Sequence, residues 1–133
     1  MKILLVDDSE ADVYLFQEAF RAVQSVHELE IARDGDQALQ HLHAAAANQF
    51  LPALILLDLN LPKTNGFGVL RAIRGDSKLR AIPVIVISSS SDGRQVRRAY
   101  EMGANAYMVK PLDDFVDLVG DFERFWLRRA RLP

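Results

Sequence analysis

The stretch Ala53-Leu54-Ile55-Leu56-Leu57-Asp58-Leu59-Asn60-Leu61-Pro62 decides how the chain folds. Leu54 to Leu57 form an apolar run with no polar face, as expected of a strand buried on both sides of a parallel sheet. The run is too short to cross a membrane. It stops at a carboxylate, Asp58. Ligands of open α/β sheets bind just beyond the carboxyl ends of the strands, so Asp58 stands where this architecture carries chemistry. Taken alone, Asp58 could equally begin a turn completed by Pro62 and Gly66.

Other runs of the same kind flank this one. Ile3-Leu4-Leu5-Val6 makes a first strand, Lys2 to Val6, ending in Asp7-Asp8. Ser9 is placed to cap the next helix, with Asp12 standing in for the acid of a capping box. Val13, Phe16, Phe20 and Val23 then recur at helical spacing, predicting helix one over Glu10 to Gln24. Glu28 to Ala32 alternates weakly, as an edge strand does. Asp34-Gly35 turns the chain into helix two, about Asp36 to Ala46, with Ala38, Leu39 and Leu42 inward. His41 and His43 lie two apart on different faces of that helix, unlike a pair of metal ligands.

Beyond Pro62, a loop of turn formers leads to helix three, with Phe67, Leu70 and Ile73 inward and Gly75 at its end. Val84 to Ile87 is a fourth strand, followed by Ser88-Ser89-Ser90-Ser91-Asp92. Helix four starts near Gly93, turns Val96, Ala99 and Tyr100 inward and ends before Gly103. Ala106 to Val109 is the fifth strand, ending in Lys110-Pro111. Asp113 is the expected cap of helix five, which carries Phe115, Leu118, Val119, Phe122, Phe125 and Trp126. At about 100° per residue these fall on one arc facing the sheet, with Val116, Gly120 and Leu127 on a flank.

Five strands alternating with five helices imply an α/β fold: a doubly wound, five-stranded parallel sheet with right-handed crossovers. Order 2-1-3-4-5 leaves the weak second strand at the edge and puts the switch point between strands one and three. The length, 133 residues, suits one domain. A net charge of −2 with half the residues hydrophobic gives no general footprint for nucleic acid or an anionic membrane. The terminal arginines, Arg124, Arg128, Arg129 and Arg131, suit a helix C-terminus better than a nucleic-acid patch. There is no cysteine, hence no thiolate chemistry. With no signal-peptide pattern at the start, a cytoplasmic protein is the expectation.

The predicted topology gathers the strand ends at one sheet edge. Asp7, Asp8 and Asp58 flank the switch point, with Ser88 and Lys110 facing them. Three carboxylates in one cleft repel unless a cation joins them, and hard oxygen ligands in a partly open cleft suit Mg²⁺. Carboxylates, cation, hydroxyl and ammonium together can bind a phosphoryl group and offset its charge during transfer.

The combination Asp7-Asp8, Asp58, Ser88 and Lys110-Pro111 resembles the receiver domain of two-component response regulators, a flavodoxin-like fold, along the whole chain. The resemblance implies a single receiver domain over residues 1–133 with no output module. It implies a signalling phosphoacceptor rather than a conventional enzyme. Asp58 would take a phosphoryl group from a sensor histidine kinase. Asp8, Asp58 and the backbone carbonyl of Asn60 would bind Mg²⁺ directly, and Asp7 through water. Ser88 and Lys110 would contact phosphoryl oxygens, Tyr107 would be the switch aromatic, and the bond before Pro111 would be cis. The stretch Leu57 to Pro62 and the terminal Phe122-x-x-Phe125-Trp126 resemble more narrowly the stand-alone regulators that partner bacterial phytochromes.

Two rivals stand beside this reading. A Mg²⁺-dependent phosphohydrolase with an Asp nucleophile usually has a second Asp two residues on, where this chain has Asn60. A pseudo-receiver interaction module would have no need of the intact acid cluster. For output, the flank of helix five suggests a homodimer tightened by phosphorylation, with Tyr107 moving inward.

Overall fold

The computed structural model describes residues 1–133. Five parallel strands, β1 (Lys2–Val6), β2 (Glu28–Ala32), β3 (Leu54–Asp58), β4 (Val84–Ser88) and β5 (Ala106–Val109), form one sheet. Its order is β2-β1-β3-β4-β5, as expected. The central strands β3 and β4 are buried at every residue, and β2 is the half-exposed edge. No helix is long and apolar enough to cross a membrane.

The pleat sends alternate residues to opposite faces. Leu4, Val6, Ile55, Leu57, Val84 and Val86 face α2 (Gly35–Asn48), α3 (Gly66–Gly75) and α4 (Gly93–Glu101). Ile3, Leu5, Leu54, Leu56, Ile85 and Ile87 face α1 (Glu10–Ala22) and α5 (Phe115–Phe122). Phe16 against Phe115 and Phe20 against Phe122, both edge to face, bind α1 to α5.

Several local features differ from expectation. Helix one ends at Ala22 rather than Gln24, because Gln24 takes a left-handed conformation, φ 56°, that a helix cannot include. Asp34 does not turn the chain with Gly35; it caps α2, accepting from the Gln37 amide at 2.7 Å. Gly35 is the first helical residue, and a Cβ there would lie 1.8 Å from the Thr64 carbonyl oxygen. That glycine lets the β3–α3 loop pack on the start of α2. Helix five is capped by Asp114, not Asp113: the Asp114 carboxylate accepts the Asp117 amide at 2.9 Å. On α4 only Ala99 is buried. Tyr100 is exposed, and its hydroxyl accepts the Tyr107 amide at 3.2 Å.

The largest departure is at the C-terminus. After Phe122 the helix continues as a π-helical turn, Glu123–Arg129. Hydrogen bonds now run to the fifth residue back, which widens the turn and rotates each later residue back relative to an α-helix. The Ala130 amide, for instance, donates to the Phe125 carbonyl at 2.7 Å. Leu127 thereby joins Phe122 in the α1/α5 core and is buried, while Phe125, expected in the core, is 55% exposed. The wider turn also carries Glu123 inward, where its carboxylate lies 4.0 Å from His27 Nε2.

Candidate phosphoryl-acceptor site

Register brings the strand ends together. Val6 pairs with Leu57, so Asp7 and Asp58 stand side by side just beyond. Asp58 pairs with Ile87, and Ser88 with Val109, which puts Ser88 and then Lys110 one step further along the same edge. Asp7, Asp58 and Ser88 are all buried. Pleat parity divides them: Asp7, Asp58 and Lys110 continue the α1/α5 face, whereas Ser88 and Tyr107 belong to the α3/α4 face.

On the first face, Lys110 Nζ donates to Asp7 Oδ2 at 2.8 Å, Asp12 Oδ2 at 2.8 Å and Asp58 Oδ2 at 3.0 Å. All three ammonium protons are used. The other oxygens of the acid pair are held by backbone: Asp7 Oδ1 by the Ser9 amide at 2.9 Å and Asp58 Oδ1 by the Asn60 amide at 3.0 Å. Burial alone would pull the Lys110 pKa down. Its hydrogen bonds to Asp12 and Asp7, with the charges of Asp58 and Asp7, overcome this and raise it above the ordinary lysine range. Asp7 shifts upward, chiefly because burial disfavours its charge; its bonds to Lys110 and Ser9 only partly offset that. The Lys110–Pro111 bond is trans, as is every peptide bond in the chain, in keeping with the ordinary preference of X–Pro bonds.

Asp8 is the exposed member of the acid group. Asp7, Asp8 and Asp58 each offer a carboxylate oxygen within 4.8 Å of the others, close enough for one cation to bridge them. Three hard oxygens with one side open at the exposed Asp8 fit a small divalent ion. Asn60, two residues after Asp58, contributes its backbone amide here. His41 and His43 pair separately with Glu30 and Asp76 and join no metal group.

On the second face, Ser88, Ser90, Gln95 and Tyr107 close a ring. The Ser90 amide donates to Ser88 Oγ at 3.1 Å, and Tyr107 Oη donates to the Ser90 carbonyl at 2.7 Å. Gln95 Nε2 donates both to Tyr107 Oη at 2.9 Å and to Ser88 Oγ at 3.0 Å. Tyr107, expected to move inward on activation, is already half-buried and packed against the core here.

The sequence reading therefore named Asp7, Asp8, Asp58, Ser88, Lys110 and Tyr107 at an edge where the structure does bring them. It missed Asp12, Ser90 and Gln95. Asp12 half-fulfils its capping role, donating its amide to Ser9 Oγ at 3.2 Å. Its carboxylate, however, goes to Lys110, because Asp7 already holds the Ser9 amide. The clue was available: the first turn of a helix directly after β1 must lie over the same edge.

A family model described as the response regulator receiver domain matches residues 3–119. The probable methanogenesis regulatory protein FilR2 of Methanothrix harundinacea is 39% identical over 98% of this chain and 86% of its own. Response regulator Rcp1 of Synechocystis sp. is 42% identical over 98% of this chain and 92% of its own. The Mn²⁺-bound Rcp1 structure superposes with a TM-score of 0.88 at 41% identity, covering 99% of this chain and 98% of that one. The phosphorylated cyanobacterial phytochrome response regulator RcpA superposes with a TM-score of 0.92 at 40% identity, covering 99% and 97%.

Proposed function

The chain belongs to the response-regulator receiver family, and on that premise we propose that Asp58 is its phosphoacceptor. The observation that carries this is the pairing of Asp58 with Lys110 at 3.0 Å, beside the three-carboxylate group at the switch point. A carboxylate oxygen of Asp58 attacks the phosphorus of a phosphohistidine. The new O–P bond forms as the N–P bond breaks, and the electron pair leaves on the imidazole nitrogen. The product is an acyl phosphate on Asp58. Lys110 can transfer its Asp58 hydrogen bond to a phosphoryl oxygen without losing Asp7 or Asp12. The Ser88 hydroxyl donates to another phosphoryl oxygen.

The cation we assign to the site is Mg²⁺, which Asp8, Asp58 and the Asn60 carbonyl would hold directly and Asp7 through water. When bound, it supplies charge neutralisation at the transferring group. The phosphodonor in this reading is a cytoplasmic sensor histidine kinase. A bacteriophytochrome is the specific candidate, supported by the likeness to the phytochrome response regulator RcpA along nearly the whole chain. The output is a change of surface, read by a second copy through α5 and its π-helical extension. Val116 and Phe125, both about half exposed, are the apolar residues this element offers. Leu127, expected to belong to that interface, is instead part of the core.

The test is to incubate the protein with Mg²⁺ and acetyl phosphate and locate the modified residue by mass spectrometry. Label is expected on Asp58 alone. Label retained at full level in Asp58→Asn refutes the assignment.

A further inference from the structure

The ring on the α3/α4 face fixes which atoms carry its protons. The Ser90 carbonyl can only accept, so the Tyr107 hydroxyl must donate to it. Tyr107 Oη, its one proton spent, must then accept from Gln95. The Gln95 atom facing it is therefore the amide nitrogen, not the oxygen. That nitrogen's second proton goes to Ser88 Oγ, which also accepts from the Ser90 amide. Both lone pairs of the Ser88 hydroxyl are thereby filled, and its own proton has no acceptor within the ring. Ser88 is fully buried on the strand adjacent to Asp58. A buried donor without an acceptor is costly, and a phosphoryl oxygen on Asp58 would satisfy it.

We propose that Gln95 is a positioning residue of the phosphoryl site: its amide aims the Ser88 proton at the phosphoryl group and ties that state to Tyr107. The inference rests on Asp58 being the phosphoacceptor and adds what prepares its hydroxyl partner. No charge is involved, and the ring is reached from α4, on the other face of the sheet from Lys110 and its acids. Gln95 should therefore govern the phosphoryl group without touching cation binding.

The variants order themselves by what they do to the Ser88 proton. Gln95→Leu removes the donor and frees a lone pair, so Ser88 is no longer oriented. Gln95→Glu goes further. A carboxylate offers an acceptor where a donor stood, so Ser88 turns its proton toward residue 95 and away from Asp58. The measurement is beryllofluoride binding, followed by fluorine NMR at saturating Mg²⁺, with Mg²⁺ affinity titrated separately. Gln95→Leu should weaken beryllofluoride about tenfold, the order set by one charge-assisted hydrogen bond made poorly. Gln95→Glu should weaken it more, and both should leave the Mg²⁺ affinity unchanged. In a Ser88→Ala background the Gln95→Leu effect should vanish, because Gln95 acts through that hydroxyl.

Wild-type beryllofluoride affinity in Gln95→Leu, or an equal loss with and without Ser88, overturns the inference. So does a parallel loss of Mg²⁺ affinity, the mark of a merely structural role. A wild type that binds no beryllofluoride overturns the phosphoacceptor reading itself, and this one with it.

Discussion

Arg74, at the end of α3, is the polar residue outside the site with the most hydrogen bonds to lose. Its guanidinium donates from Nε to the Gly103 carbonyl at 2.8 Å and from Nη1 to the Arg80 and Ile82 carbonyls at 2.9 Å each. Nη2 donates to Asn105 Oδ1 at 2.7 Å, and that oxygen also holds the Val84 amide at 2.8 Å. No carboxylate shares the site, so neutral oxygens alone support a half-buried charge. Burial accordingly lowers the Arg74 pKa, although a guanidinium stays protonated throughout. Gly103, at φ 105°, is open to this approach: a Cβ there would lie 2.9 Å from Arg74. The side chain thus laces the end of α3 to the entries of both β4 and β5.

Consider Arg74→Met, which keeps the apolar stem and removes every donor. The bonds to Arg80 and Asn105 are exposed and count for little. The two part-buried ones, to Gly103 and Ile82, are each worth about 1.5–3 kcal/mol as bonds from a charged donor. Relief of the buried charge returns some of that, leaving a net loss of about 2–3 kcal/mol. With an unfolding entropy near 2.1 cal/mol/K per residue, that loss lowers Tm by about 7–11 °C. Thermal unfolding followed by circular dichroism measures it. Arg74→Lys, a point donor that cannot span three carbonyls, should recover less than half. A Met variant that melts within a degree of wild type would refute the reasoning.

Lys110→Met leaves three acids facing one another without their cation, at a cost of about 3–5 kcal/mol at neutral pH. The Lys110 pKa is raised on folding, so its contribution is complete below the ordinary lysine value of 10.5 and fades as pH rises above it. Urea unfolding should show a constant wild-type advantage from pH 7 to 10 that narrows by pH 11; a gap that stays unchanged at pH 11 would count against this. Asp8→Ala should weaken Mg²⁺ binding and slow phosphorylation by acetyl phosphate, and an unchanged Mg²⁺ titration would place the cation elsewhere. Sedimentation with and without beryllofluoride should show dimers in the wild type and monomers in Val116→Glu. A wild type that stays monomeric at high micromolar concentration in both states would leave a heterologous partner as the reader.

The strand ends were legible because a parallel sheet leaves no choice. An apolar run that stops at Asp58 must deliver that carboxylate to the same edge as Asp7, Ser88 and Lys110. What decided the rest was three-dimensional. Asp12 and Asp7 compete for one amide at Ser9, and the winner sends the loser's carboxylate to Lys110, which spacing alone does not reveal. Gln95 matters through the direction of protons around a ring of four residues from α4, β4, β5 and a loop. Leu127 and Phe125 exchanged places because projection at a fixed angle per residue assumes an α-helix to the end.

That exchange bears on how such a chain can change length. Between Phe122 and Leu127 the π-helical turn holds one residue more than an α-helical turn would need to stack the same two side chains. Delete one residue between them, and Leu127 could still lie over Phe122, now four positions on, with the hydrophobic contact intact. The outward residues would all shift around the axis, and Phe125 with them. A single deletion here thus keeps Phe122 and Leu127 together in the core while it re-faces the surface, at the expense of the inward Glu123 beside His27. The last turn is a place where this fold can alter its exposed face without having to refold.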